Sequence, residues 1–181
     1  MEKDSKSHSL YERNPKTETD NVQENIDTED LSHSGLPPDK SYHTFIAYSS
    51  DDRHQAVKIC KELESRFFLK CVFSDRDFIP GTPTIDNIRN FMERSDTVLF
   101  ILSPNFLRSS WCITEVQIAL EMSLRILPLI LYSLNTNDLP PALKPYTCID
   151  ARGKHDITAE IHEALYHMGV VDANNEAELG E

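Results

Sequence analysis

Between Tyr42 and Met168 the apolar positions form short solid runs, separated by segments in which they recur every three to four residues. The run His43-Thr44-Phe45-Ile46-Ala47-Tyr48 is β-prone and ends in Ser49-Ser50-Asp51-Asp52, residue types that cap helices. From Asp52 to Phe67, Ala56, Ile59, Cys60, Leu63 and Phe67 line one helical face, with Arg53, Lys58, Lys61, Glu62 and Glu64 outside. Leu69–Phe73 reads as a second strand, and Thr84–Met92 as a second helix with Ile85, Ile88 and Met92 inward. Thr97–Leu102 shows no alternation, the pattern of a strand covered on both faces. Ser103–Leu107 turns into a third helical region, where Trp111–Met122 directs Ile113, Val116, Ala119 and Leu120 inward. Ile126–Leu131 is a fourth strand, with Pro128 marking an edge or a bulge. Thr147–Asp150 is a short fifth strand, and Asp156–Met168 a last helix with Ile157, Ile161, Ala164, Leu165 and Met168 inward.

Strands alternating with helices through short connections specify an α/β domain. The expected architecture is a flavodoxin-like three-layer sandwich, a five-stranded parallel sheet in the order 2-1-3-4-5 flanked by helices. The ordered domain is expected over residues 41–168. Residues 1–40 are polar with scattered apolar positions and cannot bury enough surface to offset ordering entropy, so an acidic disordered leader is expected there. Residues 169–181 form a similar acidic tail.

Charge sharpens this division. Of the net −12, residues 1–41 carry −5 (five bases, ten acids) and residues 172–181 carry −4, leaving −3 for residues 42–171. A nearly neutral core without a dense basic face argues against nucleic acid and against direct docking on anionic lipid. Cys60, Cys71, Cys112 and Cys148 are far apart in sequence, with no CxxC and no Cys/His pair at ligand spacing, so buried free thiols and no metal are expected. The start, Met1-Glu2-Lys3-Asp4, is not an apolar signal, and the longest apolar run, Ile126–Tyr132, is far too short to span a bilayer. The expected location is cytoplasmic.

Open α/β sheets bind ligands at the carboxyl ends of their strands. The first such end, Ser49-Ser50-Asp51-Asp52-Arg53, has no glycine to admit a phosphate and two acids that repel one. No GxSxG elbow or P-loop occurs, and the third strand ends in Ser103-Pro104 where a phospho-acceptor aspartate would stand. Two features remain. The connection Ser74-Asp75-Arg76-Asp77-Phe78-Ile79-Pro80-Gly81-Thr82-Pro83 contains a type II turn signal, Pro80 fixing φ and Gly81 supplying a positive φ. A charged, partly apolar loop held by a stiff turn is a candidate recognition element. Glu115, one turn into the helix after the third strand, could serve as an acid, a base or a cation stabiliser, and as readily be a solvent-facing helix acid. Cys112 has no histidine near it in sequence to activate it as a nucleophile.

Three ordered motifs make the pattern specific. Phe45-Ile46-Ala47-Tyr48, then Arg76-Asp77-Phe78-Ile79-Pro80-Gly81, then Leu102-Ser103-Pro104-Asn105-Phe106-Leu107 followed by Trp111-Cys112 and Glu115, together resemble the Toll/interleukin-1 receptor (TIR) domain over about residues 42–168. The middle motif is similar to that family's BB loop, and Lys70–Asp77 is similar to its animal signalling adaptors. Ala159-Glu160-Ile161-His162 stands where many receptor members carry a Phe-Trp pair. The resemblance implies an adaptor or scaffold that assembles with other TIR domains in innate-immune signalling, as a homo-oligomer or filament. It reaches membranes only through receptors and needs no cofactor. Arg76, Asp77, Phe78, Ile79, Pro80 and Gly81 would be the protein-binding loop. An inhibitory decoy would use the same loop. A different implied activity is NAD+ cleavage, in which NAD+ is the substrate and Glu115 takes the position of the catalytic glutamate, four residues after Trp111.

Overall fold

In a computed structural model, which describes residues 36–172, five parallel strands form one sheet in the order β2-β1-β3-β4-β5. They are β1 (Tyr42–Ala47), β2 (Cys71–Phe73), β3 (Ser95–Leu102), β4 (Arg125–Ile130) and β5 (Ile149–Asp150). The helices are α1 (Arg53–Phe67), α2 (Ser74–Asp77), α3 (Thr84–Glu93), α4 (Pro104–Arg108), α5 (Ser110–Glu121) and α6 (Ile157–His167). The expected strand order and three layers are therefore observed. Most of the disordered leader and tail expected at the ends lies outside the described residues, but the ordered domain runs past the expected boundary at 168, because Val170 and Val171 are buried in the core beneath α1 and α6.

Alternation along the central strands sorts side chains into two cores. Val98, Phe100 and Leu102 of β3 join α3, α4 and α5 through Ile88, Met92, Phe106 and Val116. Leu99 and Ile101 point the other way and meet α1 and α6 through Ile59, Leu63, Phe67, Ile161 and Leu165. Each such side chain, taken wholly out of water, contributes about 1.5–3 kcal/mol. β3 is buried over all eight residues because both faces are covered.

Several local expectations change in three dimensions. β2 and β5 are shorter than their apolar runs, since only Cys71–Phe73 and Ile149–Asp150 find a neighbour in register. Pro128 sits in an interior strand, paired opposite Phe100. β5 joins β4 only from Leu129, so Pro128 lies where the far side of β4 is still an edge and a missing donor costs little. The buried face of α5 is turned from the expected one, to Cys112, Glu115, Val116, Ile118 and Ala119, where α5 packs against α3 and α4. α6 buries Thr158 and His162 in addition to Ile161 and Leu165, with His162 stacked on Phe67 at 4.3 Å between ring centres. Two of the four cysteines are close in space. Cys60 and Cys71 lie together with Glu64, and Cys148 is only half-buried.

The largest revision concerns Asp52. Neither Ser49 nor Asp52 caps a helix with its side chain. Asp52 is instead buried and accepts hydrogen bonds from Ser103 Oγ and from Asn105 Nδ2 at 3.3 Å. Ser103 in turn accepts from the Phe106 amide at 2.9 Å, capping α4. One network thus ties the end of β1 to the end of β3. Replacing Asp52 by alanine removes the acceptor of one buried and one half-buried donor, and is expected to lower unfolding free energy by about 1–3 kcal/mol in urea denaturation. A loss below a few tenths of that would show that water replaces the carboxylate freely.

Candidate functional site

The connection from β2 to α3 is built from its base upward. At the base, Asp77 Oδ2 accepts the Phe73 amide at 2.7 Å, closing the single turn of α2 back on the strand. Arg76 donates to Asp77 Oδ1 at 2.8 Å, to Glu64 Oε2 at 2.9 Å and to the Cys71 carbonyl at 2.7 Å. Its hydrogen bonds to Asp77 and then Glu64 raise the guanidinium's affinity for its proton. Phe78 turns inward, its ring 5.9 Å from Phe91 and 6.3 Å from Phe45. Of the six expected loop contacts, three are therefore engaged within the molecule. Arg76 and Asp77 brace the base, and Phe78 anchors it in the core.

The tip is the remaining part. The Thr82 amide bonds back to the Ile79 carbonyl at 3.2 Å and Gly81 has φ +82°, as the type II turn requires. Asn87 of α3, buried and unforeseen from its polar type, holds this turn from beneath. Its Oδ1 accepts the Ile79 amide at 2.9 Å, and its Nδ2 donates to the Ile79 and Thr82 carbonyls at 3.2 and 3.3 Å. Ile79, Pro80 and Gly81 project into solvent, Ile79 with 52% of its surface exposed. The one sequence cue to Asn87 was a polar residue beside the inward Ile88.

Beside the loop a cavity of about 180 Å³ opens at the strand ends, lined among others by Tyr48, Ser74, Phe78, Thr84, Trp111 and Glu115. Phe78 thus forms both the loop's anchor and a wall of the cavity. Glu115 is 8% exposed, not a solvent-facing acid, and burial alone pushes its carboxyl up to about 8. Burial also holds the Tyr48 phenol up at about 12 and the Cys112 thiol at about 11. Among the described residues, no lysine, arginine or histidine lines the cavity. Asp75, at its rim, is paired with Arg53. Burial thus disfavours the Cys112 thiolate, and Glu115 in the same cavity raises the thiol further, which weighs against Cys112 as a nucleophile.

The family model described as TIR domain matches residues 44–165. The chain belongs to the TIR domain family. A stimulator of interferon genes protein from Magallana gigas is 35% identical over 130 residues, 68% of this chain and 31% of that protein. Toll-like receptor 6 from Dasypus novemcinctus is 36% identical over 104 residues, 57% of this chain and 12% of the receptor. The TIR domain of the Toll-related receptor TRR-2 from Hydra magnipapillata superposes with a TM-score of 0.61 at 24% identity, covering 71% of this chain and 98% of that one. This chain thus spans less than a third of the curated relatives' lengths. Among the described residues, no helix of this TIR domain is long and apolar enough to cross a membrane.

Glu115 makes the stability of the domain pH-dependent in a defined direction. Its folded pKa, about 8, lies above the ordinary 4.5, so its stabilising contribution is complete below about 4.5 and is lost as pH rises through 8. Glu115→Gln removes that loss. The variant is expected to melt progressively higher than the parent between about pH 5 and pH 9, with a gap of a few kcal/mol at the alkaline end. Parallel melting curves across that range would show that the carboxyl is hydrated.

Proposed function

We propose that this TIR domain is an intracellular signalling adaptor or scaffold that assembles with other TIR domains in Toll-like and interleukin-1 receptor pathways. The observation that supports it best is the Ile79-Pro80-Gly81 tip, an exposed apolar end on a turn held by Asn87, above a base closed by Asp77. A tip ordered before contact loses little conformational entropy on docking. The Arg76, Asp75 and Asp77 charges behind it are committed to internal partners, so specificity at the tip is one of shape and apolar fit. A tip seated in a different surface of the next copy gives a head-to-tail contact that propagates into filaments instead of closing as a dimer. The likeness to Toll-like receptors, which share the domain, is consistent with that role.

NAD+ cleavage by Glu115 is the second reading, and the cavity is what favours it. A buried glutamate at the strand ends is where such a fold places chemistry. Three features weigh the other way. About 180 Å³ is small beside the 300–1,000 Å³ of typical ligand pockets. No basic group stands ready for a pyrophosphate. With its pKa near 8, Glu115 is mostly protonated at neutral pH and offers little charge to a developing cation.

Two experiments separate these readings. Pro80→His and Ile79→Asp are expected to leave the circular dichroism and melting temperature near the parent's while weakening pull-down of receptor TIR domains by at least about 10-fold, the loss of one buried apolar anchor. Unchanged capture by both variants would remove the tip from the interface. Incubated with NAD+, the purified protein is expected to release no nicotinamide. Turnover that disappears in Glu115→Ala would replace the adaptor reading with the enzymatic one.

A further inference from the structure

α1 and β2 hold a cluster that neither the tip nor the cavity uses. Cys60 and Glu64 stand one helical turn apart on α1 and so share a face. The chain leaves α1 through Phe68, in left-handed backbone at φ 53°, and re-enters the sheet at Cys71, registered against Thr44 of β1. That short return brings Cys71 against the Cys60–Glu64 face. Both thiols are buried, 3% and 2% exposed, while Glu64 reaches the surface. The two sulfur atoms and a Glu64 carboxylate oxygen all lie within 4.8 Å of one another.

We propose that Cys60, Glu64 and Cys71 form a binding site for a thiophilic metal ion, Zn2+ above all, with the fourth position open to water on the Glu64 side. Tetrahedral zinc, with bonds of about 2.3 Å to sulfur and 2.0 Å to oxygen, spaces such ligand atoms about 3.5–3.8 Å apart. Small side-chain rotations therefore close the cluster on an ion, with no strand or helix displaced. Two thiolates and a carboxylate bring three negative charges against the ion's two positive ones, and Arg76 supplies the balance. Its Nη1 holds Glu64 Oε2 at 2.9 Å, leaving the other carboxylate oxygen for the metal, and its Nη2 holds the Cys71 carbonyl at 2.7 Å. A guanidinium that orients one ligand's carboxylate and another's backbone is the kind of outer support metal sites use. The sulfur pair selects zinc or copper(I) over magnesium and calcium, which take oxygen ligands. On binding, the two thiol protons pass to solvent and no electrons move. The ion would clamp α1 to β2 immediately before α2, and Arg76 extends that clamp to Asp77 at the base of the recognition loop.

The full chain, reduced and stripped with a chelator, is titrated with Co2+ and then Zn2+. One equivalent of Co2+ is expected to give sulfur-to-cobalt charge-transfer and tetrahedral d–d bands, bleached by Zn2+. Cys60→Ser and Cys71→Ser should each remove the charge-transfer band, and Cys148→Ser should leave it unchanged. Glu64→Gln, at a part-exposed position where folding is not at stake, should weaken Zn2+ binding by about 10-fold or more in competition with a chromophoric chelator. Should the cysteine variants fail to fold, zinc X-ray absorption of the parent protein decides, two sulfur neighbours being expected. No charge-transfer band, a band that survives Cys60→Ser, Zn2+ affinity indifferent to Glu64→Gln, or zinc surrounded only by oxygen and nitrogen would each overturn the site.

Discussion

Burial of β3 on both faces is the constraint on which the rest of the domain depends. The run Val98–Leu102 places apolar side chains on both faces of the strand and cannot leave either to water, so helices must cover both. Right-handed crossovers of limited length then dictate where those helices go, and the order β2-β1-β3-β4-β5 follows. That order gathers the carboxyl ends of β1, β2 and β3 on one edge. The loop, the cavity and the Asp52 network all stand at that edge for this reason.

Packing alone does not hold that edge in shape. Three buried or half-buried polar groups do so by pairing with backbone or side-chain polar groups that would otherwise be orphaned. Asp52 joins Ser103 and Asn105, Asp77 takes the Phe73 amide, and Asn87 satisfies both ends of the Ile79–Thr82 turn. Each fixes a connection that a hydrophobic core leaves free, because hydrogen bonds are directional and apolar contacts are not. The outcome is a loop with a rigid base and a small free tip, the form a protein-binding element takes when its ordering cost is met during folding.

Phe78 shows how closely the two functional readings are joined. It anchors the tip in the core and also walls the cavity that contains Glu115. A protonated glutamate in a tight, unbasic recess suits a domain that keeps this carboxyl as part of its interior, and the exposed Ile79 beside it suits one that works by contact. The cysteine pair is held by α1 and β2 on the opposite face of the sheet, and Arg76 links it to the base of the loop.

The principal elements apart from α2, the strand order, the two-faced burial of β3 and the Ile79–Thr82 turn were legible in the chain itself. Each rests on local periodicity or on the backbone limits of proline and glycine, which neighbours in sequence carry in full. What tertiary structure decided were the partnerships of polar groups. Asp52 looked like a helix cap and became a cross-sheet anchor to a serine fifty-one positions on. Asn87 carried no signal of its role, and Phe78 looked like a contact, Glu115 like a helix acid in water, and the cysteines like four unrelated thiols. The roles of these side chains depend on which distant backbone or sulfur atom comes within about 3–4 Å. Spacing along a chain carries no record of that distance, and only the register of strands and the angle of packed helices fix it.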